Sequence, residues 1–342
     1  MIALGLLIIA IGAFCQSSCY VPINKIRSWS WESYWLMQGV FAWLVFPLLG
    51  AALAVPDGGS LWQLLAGADP FMLWMTVLFG ALWGVGGLTF GLSMRYLGVA
   101  LGQSIALGTC AALGTVMGPV LLNAFFPEMD ALSSLTVSVV IGIAATLLGI
   151  AVIGAAGAMK AASLSEEEKR KAVKDFNFPK GIAIALLAGF MSGCFNIGLT
   201  FGQGICFADS QPMFATLPAT MLVTMGGFVT NAVYCFWQNS RNRTWGDYAK
   251  GGVMASNLMY CALAGLLWYS QFFGLSMGKG FIPESSSLYT LSFCILMALN
   301  VVFSNVWGII LKEWKGCSRA TIAVLLIGIC ILIISSFISQ LV

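Results

Sequence analysis

The sequence predicts an all-α integral membrane protein of ten transmembrane helices, arranged as two inverted five-helix repeats. Three observations predict this fold class. First, 59% of the 342 residues are hydrophobic and only 8% are charged, too few charges to cover a water-facing surface. Second, ten apolar segments approach the roughly 20 residues that a membrane-crossing helix needs. Third, similar segments recur in the two halves of the chain at a nearly constant spacing.

The ten predicted spans are apolar segments separated by short polar or charged loops. Lys25 and Arg27 follow the first span and no basic residue precedes it, which is typical of an uncleaved span and not of a removable signal peptide. Most cysteines lie within apolar runs, so we expect them to be small buried hydrophobes. The spans lie near residues 2–22, 34–55, 71–94, 98–124, 133–158, 181–203, 214–238, 252–275, 288–311 and 320–341.

The basic residues predict the orientation of the chain in the membrane. Of the 16 lysines and arginines, 15 lie in loops that follow odd-numbered spans, and Lys279 is the exception. Loops rich in Lys and Arg face the cytoplasm. We therefore expect the odd-numbered loops to be cytoplasmic and both termini to be periplasmic. A wrong number of spans would destroy this alternation, so the bias also supports ten.

The longest charged segment divides the chain into three parts. Residues 159–180 are predicted to form a solvated cytoplasmic linker. Residues 1–158 then form the first five-helix repeat, and residues 181–342 form the second. Because five is an odd number, the second repeat must cross the membrane in the opposite sense to the first.

Three pairs of sequence markers support the repeat. Phe14 and Phe190 end similar apolar stretches, and the pentapeptide "FGLSM" begins at Phe90 and again at Phe273. Glu128 and Glu313 each precede the last span of a repeat, and all three pairs are separated by nearly the same length of chain. Inverted repeats are typical of secondary transporters, which expose a site near the bilayer midplane to each side in turn. The sequence therefore predicts a transporter that works by alternating access.

Longer strings resemble a known family. Five-plus-five inverted repeats of short spans, with an acidic residue before the last span of each repeat, resemble the drug/metabolite transporter superfamily. The stretches "WSWESYW" from Trp29, "FGALWGVGGLTFGLSMRYLG" from Phe79, "GLLWYSQFF" from Gly265, "IP" at Ile282 and "GIILKEW" from Gly308 are similar to the L-rhamnose/proton symporter family.

This second resemblance runs nearly from end to end. It implies proton-driven import of L-rhamnose, or a related 6-deoxyhexose, through the bacterial inner membrane. The alternative is a sugar or metabolite transporter or exporter of the same fold, with another substrate or with sodium coupling, because fold alone does not determine function.

The composition excludes most enzymes. The chain has no histidine, which most intramembrane catalytic sets require. Cys15 and Cys19 share a helix face, but without His or acidic partners they do not predict a metal site. We therefore expect no enzyme activity, no cofactor and no metal. The expected partners are a small sugar, a coupling proton and the lipid bilayer, with no nucleic acid.

Polar and aromatic residues within spans are the candidates for a sugar site. Buried polar groups in a membrane are costly, and a sugar needs amides and hydroxyls for its own hydroxyls and aromatic rings for its apolar face. For each amide or hydroxyl the alternative is a hydrogen bond between helices, and for each tryptophan it is ordinary packing. The candidates are Gln16, Tyr20, Trp83, Asn196, Asn231, Trp268, Tyr269, Gln271, Asn300 and Asn305.

The coupling proton needs an ionisable group, and none of the 13 acidic residues lies well inside a predicted span. We therefore expect a carboxylate at a helix end or in a vestibule. The candidates are Glu32, Asp209 in the apolar turn "GICFADSQP", and Glu284 after Pro283. For each of them the alternative is an ordinary loop carboxylate, and Glu32 is also a candidate for stabilising a helix end.

Overall fold

The computed structural model describes residues 1–97, 99–163, 178–312 and 314–338. Among these residues, ten helical segments are long and apolar enough to cross a membrane, which confirms the all-α class and the number of spans. Spans 1 to 10 are Ile2–Ile23, Trp31–Leu53, Pro70–Phe90, Gly102–Phe125, Val137–Ala162, Pro179–Gly204, Pro212–Asn242, Gly251–Lys279, Ser287–Ile310 and Arg319–Ile338. Most of the predicted linker and the marker Glu313 lie outside the described residues.

Apolar sequence becomes helix here because lipid offers no partner for a free peptide group, so each span must satisfy its own backbone. The α-helices are Ile2–Ser18, Tyr20–Ile23, Trp31–Gly39, Phe46–Leu53, Leu61–Gly67, Pro70–Leu97, Val99–Phe125, Val137–Ala162, Phe178–Phe201, Leu217–Asn242, Gly251–Lys279, Ser287–Ile310 and Arg319–Ile338. Polar caps set some of the ends. Thr136 accepts a hydrogen bond from the Val139 N–H at the start of span 5, and Ser286 accepts one from the Leu288 N–H at the start of span 9.

Span 2 is interrupted by a π-helical segment, Val40–Val45, between two α-helical parts. Pro47 lies two residues after the end of this segment, in the α-helix that begins at Phe46. A proline has no N–H for the carbonyl group four residues earlier, here that of Trp43, and in an α-helix its ring would clash with that carbonyl. The wider π turn moves the carbonyl away from the ring. Such π segments are frequent at functional sites.

The described chain forms two compact units, each built from both halves of the sequence. Unit 1 comprises Met1–Gly84 and Gly198–Ile282, and unit 2 comprises Val85–Ile197 and Pro283–Val342. Unit 1 therefore contains spans 1, 2, 7 and 8, whereas unit 2 contains spans 4, 5, 9 and 10. The helices of spans 3 and 6 contribute to both. The predicted division at residues 159–180 concerns the sequence repeats, and it stays a prediction.

Close backbone contacts hold the helices of unit 1 together. Span 1 packs along span 8, and span 2 packs against spans 7 and 8. A methyl group added at Gly12 would lie only 2.8 Å from the carbonyl oxygen of Ser270, and one added at Gly84 would lie 2.7 Å from that of Gly227. Lipid tails are as apolar as leucine, so helices in a membrane associate through such close approach and through hydrogen bonds.

Unit 2 has an aliphatic core between spans 5, 9 and 10. Ile150, Val302, Leu325 and Leu332 are buried in one cluster. Span 5 packs against spans 4, 9 and 10. Because the buried members of this cluster are all aliphatic, it provides packing and not recognition of a sugar.

Candidate functional site

Four tryptophans form a cluster in unit 1. Trp35 and Trp43 lie on span 2, Trp83 on span 3 and Trp268 on span 8. The ring centroids of Trp43, Trp83 and Trp268 lie 5.6–5.9 Å apart in all three pairs, and Trp35 is 5.6 Å from Trp43. Rings at these distances attract one another edge to face. The structure thus brings together the two tryptophans predicted from the sequence, Trp83 and Trp268.

Trp43 lies at the centre of this tryptophan cluster and within the π-helical segment. Its ring covers Gly39, where an added methyl group would lie 2.6 Å from ring carbon Cζ3. Trp83 and Trp268 are only partly buried, whereas Trp43 is 4% exposed. Sequence reasoning missed Trp43. The available signal was a tryptophan in mid-span four residues before a proline.

Three buried polar atoms of spans 2 and 8 have no hydrogen-bond partner within the described part of the chain. They are the indole N–H of Trp43, the side-chain carbonyl oxygen of Gln38 and the hydroxyl of Tyr269. Gln38 is 3% exposed and Tyr269 is 4% exposed. An unpaired buried donor or acceptor costs about 1–3 kcal/mol, so such groups are rare and call for an explanation. Tyr269 was predicted from the sequence and Gln38 was not.

Asn231, on span 7, is fully hydrogen-bonded. Its Oδ1 accepts from Trp35 Nε1 at 3.0 Å. Its Nδ2 donates to the carbonyl oxygens of Gly227, at 2.9 Å, and Gly84, at 3.3 Å. Because both amide protons are used, Asn231 fixes the Trp35 ring and joins spans 2, 3 and 7.

The other candidates in unit 1 occupy different surroundings. Gln271 is buried beside the tryptophan cluster, and its Nε2 donates to the Trp268 carbonyl oxygen at 3.2 Å. Gln16 is half-buried, and its Oε1 lies 3.5 Å from the Ser17 hydroxyl. Tyr20 is exposed.

The candidates in unit 2 lie on spans 6 and 9. Asn196 is half-buried and donates from Nδ2 to the Gly114 carbonyl oxygen at 2.8 Å, which joins spans 6 and 4. Asn305 donates to the Val301 carbonyl oxygen of its own helix at 2.9 Å. Asn300 is buried on the same helix.

A groove of about 430 Å³ lies between spans 4 and 5 of unit 2. Its lining includes Gly108, Ile150 and Gly154, with Leu147 at its exposed edge. Ser104 and Thr109 supply its hydroxyls, and the remaining lining side chains are aliphatic. Such a surface suits a lipid acyl chain better than a sugar, which has a hydroxyl on most of its carbons.

A buried carboxylate, Asp247, lies between spans 7 and 8. Its Oδ2 accepts from the Ser30 N–H and hydroxyl, both at 2.7 Å, and lies 2.9 Å from the Ser33 hydroxyl. Its Oδ1 pairs with Lys250 Nζ at 2.6 Å. Burial alone raises the pKa of this carboxyl, but the hydrogen bonds from Lys250, Ser30 and Ser33 outweigh it and hold the pKa well below its ordinary value.

Glu32 lies next to this carboxylate, at the start of span 2. Its Oε1 accepts from Asn242 Nδ2 at 2.9 Å and lies 2.9 Å from the Thr244 hydroxyl. Asn239 connects the two carboxylates, because its Oδ1 lies 3.1 Å from the Ser33 hydroxyl and 3.0 Å from that of Thr244. These residues form a polar network that joins the start of span 2 to the loop between spans 7 and 8. Asp209 and Glu284, in contrast, are exposed.

Comparison with known proteins identifies the family. The family of L-rhamnose-proton symport proteins (RhaT) matches residues 1–342. This chain belongs to that family. A protein of Cronobacter sakazakii called L-rhamnose-proton symporter is 32% identical over 348 residues, covering 98% of this chain and 96% of the relative. Proteins of the same name from Yersinia pestis and Yersinia pseudotuberculosis are 30% identical over 343 residues, with the same coverage.

Membership of the RhaT family settles the class of the protein. The family consists of transporters, so this chain is a transport protein and not an enzyme. The ten spans and the bacterial relatives support a multi-pass protein of the inner membrane. The match covers the two compact units and also residues 164–177 of the linker, which lie outside the described residues.

Proposed function

We propose that this chain imports L-rhamnose, or a related 6-deoxyhexose, together with a proton by alternating access across the bacterial inner membrane. The full-length match to the RhaT family carries this proposal. The relatives named L-rhamnose-proton symporter, which match over 98% of the chain, support the same substrate and coupling ion. Trp83 and Trp268, whose rings lie 5.6 Å apart in unit 1, offer aromatic surface for the apolar face of a sugar.

We also propose that the two halves are inverted repeats, as in the drug/metabolite transporter superfamily. Contacts in the two units support it, because they occur in matched pairs. In unit 1 Gly5 packs against Gly278, and in unit 2 Gly181 packs against Leu97. The length of chain from Gly5 to Gly181 is close to that from Leu97 to Gly278. The contact between spans 1 and 8 therefore recurs between spans 6 and 3.

Spans 2, 3, 7 and 8 in unit 1 show the same exchange. Gly84 packs against Gly227, and Gly265 packs against Gln38. The spacing from Gly84 to Gly265 equals the spacing from Leu97 to Gly278, which lie on the same two helices, and that from Gln38 to Gly227 is slightly longer. A two-fold axis that relates each span to the fifth span after it exchanges span 3 with span 8 and span 2 with span 7. A contact between spans 3 and 7 is then expected to recur between spans 8 and 2.

Spans 5 and 10 in unit 2 give a third pair. Gly149 packs against Leu332, and Gly328 packs against Ile153. The spacing from Gly149 to Gly328 is identical to that from Ile153 to Leu332. The two "FGLSM" copies lie on the helices of spans 3 and 8, but they are slightly further apart in sequence than Gly84 and Gly265 on the same helices. The pentapeptides therefore mark equivalent helices without occupying equivalent positions on them. The repeat is better supported by these contacts than by the pentapeptide.

Rhamnose uptake into energised vesicles tests the substrate and the direction. Vesicles containing the full-length protein and carrying an imposed pH gradient should accumulate radiolabelled L-rhamnose, and unlabelled L-rhamnose should compete better than other hexoses. Replacing the pH gradient by a sodium gradient should abolish accumulation. Uptake that follows sodium, or export of a different metabolite, would contradict the proposal.

We propose Glu32 as the carboxylate that binds the coupling proton, ahead of Asp209 and Glu284. Its contacts support this choice, because Glu32 is buried and accepts hydrogen bonds from Asn242 and Thr244, so its protonation would weaken contacts within the fold, whereas Asp209 and Glu284 are exposed. In Glu32→Gln, accumulation driven by a pH gradient should be lost while exchange of labelled for unlabelled rhamnose persists. Asp209→Asn and Glu284→Gln serve as matched exposed controls. Accumulation by Glu32→Gln at the wild-type level would rule this role out.

A further inference from the structure

Span 2 carries a donor and an acceptor that nothing in the described structure satisfies. The indole N–H of Trp43 is the donor, and the side-chain carbonyl oxygen of Gln38 is the acceptor. Both side chains are more than nine-tenths buried, with 4% and 3% of their surfaces exposed. They lie five residues apart on span 2, with Gln38 at the end of the α-helical part Trp31–Gly39 and Trp43 in the π-helical segment that follows it.

One neighbouring tryptophan makes such a bond, whereas the indole N–H of Trp29, elsewhere in unit 1, has no partner within the described residues. Trp35 Nε1, one ring away from Trp43, donates to Asn231 at 3.0 Å. Trp43 has the same indole group, but it has no partner within the described residues. Two unpaired groups of opposite kind on the same span match a ligand that both accepts and donates hydrogen bonds, as the hydroxyls of a sugar do.

The surfaces around this pair are those that a sugar ring requires. The rings of Trp83 and Trp268 lie 5.8 Å and 5.9 Å from that of Trp43 and are only partly buried. Aromatic rings contact the C–H face of a pyranose, while a few placed polar groups fix its hydroxyls. The Trp43 side chain projects from the π-helical segment Val40–Val45, and Gln38 lies two residues before this segment.

We propose that Trp43 and Gln38 bind hydroxyls of the transported sugar, with the Trp43 indole N–H as donor and the Gln38 side-chain oxygen as acceptor, and that Trp83 and Trp268 pack against the apolar face of the sugar. This inference rests on the proposed function, since it takes a 6-deoxyhexose as the ligand. It places the specificity of this subsite in unit 1, on span 2, at two residues that the sequence did not single out.

Two tryptophan substitutions in the same cluster test this assignment. Trp43→Phe removes a donor that has no partner within the described residues, so the affinity for L-rhamnose should fall roughly 5- to 100-fold, while the melting temperature should fall less than in Trp35→Phe, which loses a hydrogen bond as well as ring volume. Trp35→Phe leaves the Asn231 oxygen unpaired, so the melting temperature should fall while the affinity of the folded fraction stays near wild type. Calorimetric titration with L-rhamnose and thermal unfolding of purified full-length protein give both quantities.

Gln38→Met provides a second, independent variant, because it removes the acceptor and keeps an unbranched side chain of similar length. It should weaken L-rhamnose by a similar factor. A set of monodeoxy analogues of L-rhamnose identifies the sugar hydroxyl that Trp43 binds.

Wild type and Trp43→Phe should bind the analogue that lacks this hydroxyl with equal affinity, since the hydrogen-bond partner of Trp43 is absent from that analogue.

The outcomes separate this assignment from the proposed function. If wild type binds L-rhamnose and both Trp43→Phe and Gln38→Met bind it equally well, the assignment is wrong while the proposed function stands. The assignment is also wrong if Trp43→Phe weakens every monodeoxy analogue by the same factor. If wild type itself binds no L-rhamnose, the proposed function fails, and the assignment fails with it.

Discussion

At the scale of single residues, the chain contrasts polar groups that the fold satisfies with polar groups that it leaves unpaired. Asp247 belongs to the first kind, and its environment could not be predicted from the sequence. The stretch "RTWGDYAK" has the composition of an exposed loop. The carboxylate becomes buried because Ser30 and Ser33, from the opposite half of the chain, approach it and supply hydrogen bonds. Sequence patterns describe neighbours along the chain and not such distant partners.

The hydrogen bonds to Asp247 predict how stability depends on pH. Since they hold the pKa of this carboxyl below the ordinary value of about 3.9 found in unfolded chains, the unfolded state takes up the proton first as the pH falls. The stabilisation is therefore complete above about pH 5 and is lost progressively as the pH falls below about 4. In Asp247→Asn this component should be missing, so the melting temperature should be lower at pH 7 and should fall less between pH 5 and pH 3.

Asp209→Asn is the matched control for this measurement, because Asp209 is an exposed aspartate in another loop. It should leave both the melting temperature and its pH dependence near wild type. Parallel pH curves for wild type and Asp247→Asn would show that the network does not favour the ionised carboxylate.

At the scale of elements, the sequence predicted the helices better than their internal geometry. Continuous apolar runs were sufficient to place ten spans, because lipid forces every apolar segment of that length to satisfy its own backbone. The π-helical segment Val40–Val45 was not predicted, although Pro47 is its physical cause. Nothing in hydropathy separates an α turn from a π turn. The unpaired groups of Trp43 and Gln38 were missed for the same reason.

Two glycines on the helix of span 3 give a prediction about packing. A methyl group added at Gly84 would lie 2.7 Å from the Gly227 carbonyl oxygen and 3.0 Å from the Gly227 Cα, and this backbone cannot move without displacing span 7. One added at Gly87 would meet no described atom within 4 Å. Gly84→Ala should therefore lower the free energy of unfolding by about 1–3 kcal/mol through overpacking. Gly87→Ala should leave the free energy of unfolding unchanged or raise it by about 1 kcal/mol, since alanine has a higher helix propensity than glycine.

Thermal unfolding of the two purified variants in the same detergent makes this comparison direct, because both changes are Gly→Ala within the same helix. Gly265 on span 8 is equally close to span 2, because a methyl group added there would lie 2.8 Å from Cβ of Phe41 and 2.9 Å from the backbone nitrogen of Ala42. Gly265→Ala should accordingly destabilise to a similar extent. A Gly84→Ala protein as stable as Gly87→Ala would contradict the close packing of spans 3 and 7.

At the scale of the whole molecule, the sequence repeats and the compact units are different divisions of the chain. The predicted repeats end at residues 158 and 342, whereas each unit takes segments from both halves. Units of this kind are expected if the helices of each predicted repeat pack mainly against helices of the other repeat. The matched contacts at Gly149 with Leu332 and Gly328 with Ile153 are an example, since both join span 5 to span 10. Sequence alone could suggest the repeat, but not which copy each helix packs against.

The orientation of the chain is the last prediction, and it follows from the distribution of the basic residues. We expect the loops after odd-numbered spans to be cytoplasmic, because they contain 15 of the 16 lysines and arginines. Glu168→Cys, in the linker outside the described residues, should react with a membrane-impermeant thiol reagent only after the cells are opened. Asp57→Cys, an exposed acidic position between spans 2 and 3, should react in intact spheroplasts. Labelling is measured as the increase over wild type, which has ten cysteines of its own.

Each span reverses the direction of the chain, so two other outcomes would contradict this orientation. Reaction of Glu168→Cys and protection of Asp57→Cys in spheroplasts would mean that both termini are cytoplasmic. Reaction of both variants would mean that the two loops are not separated by an odd number of spans.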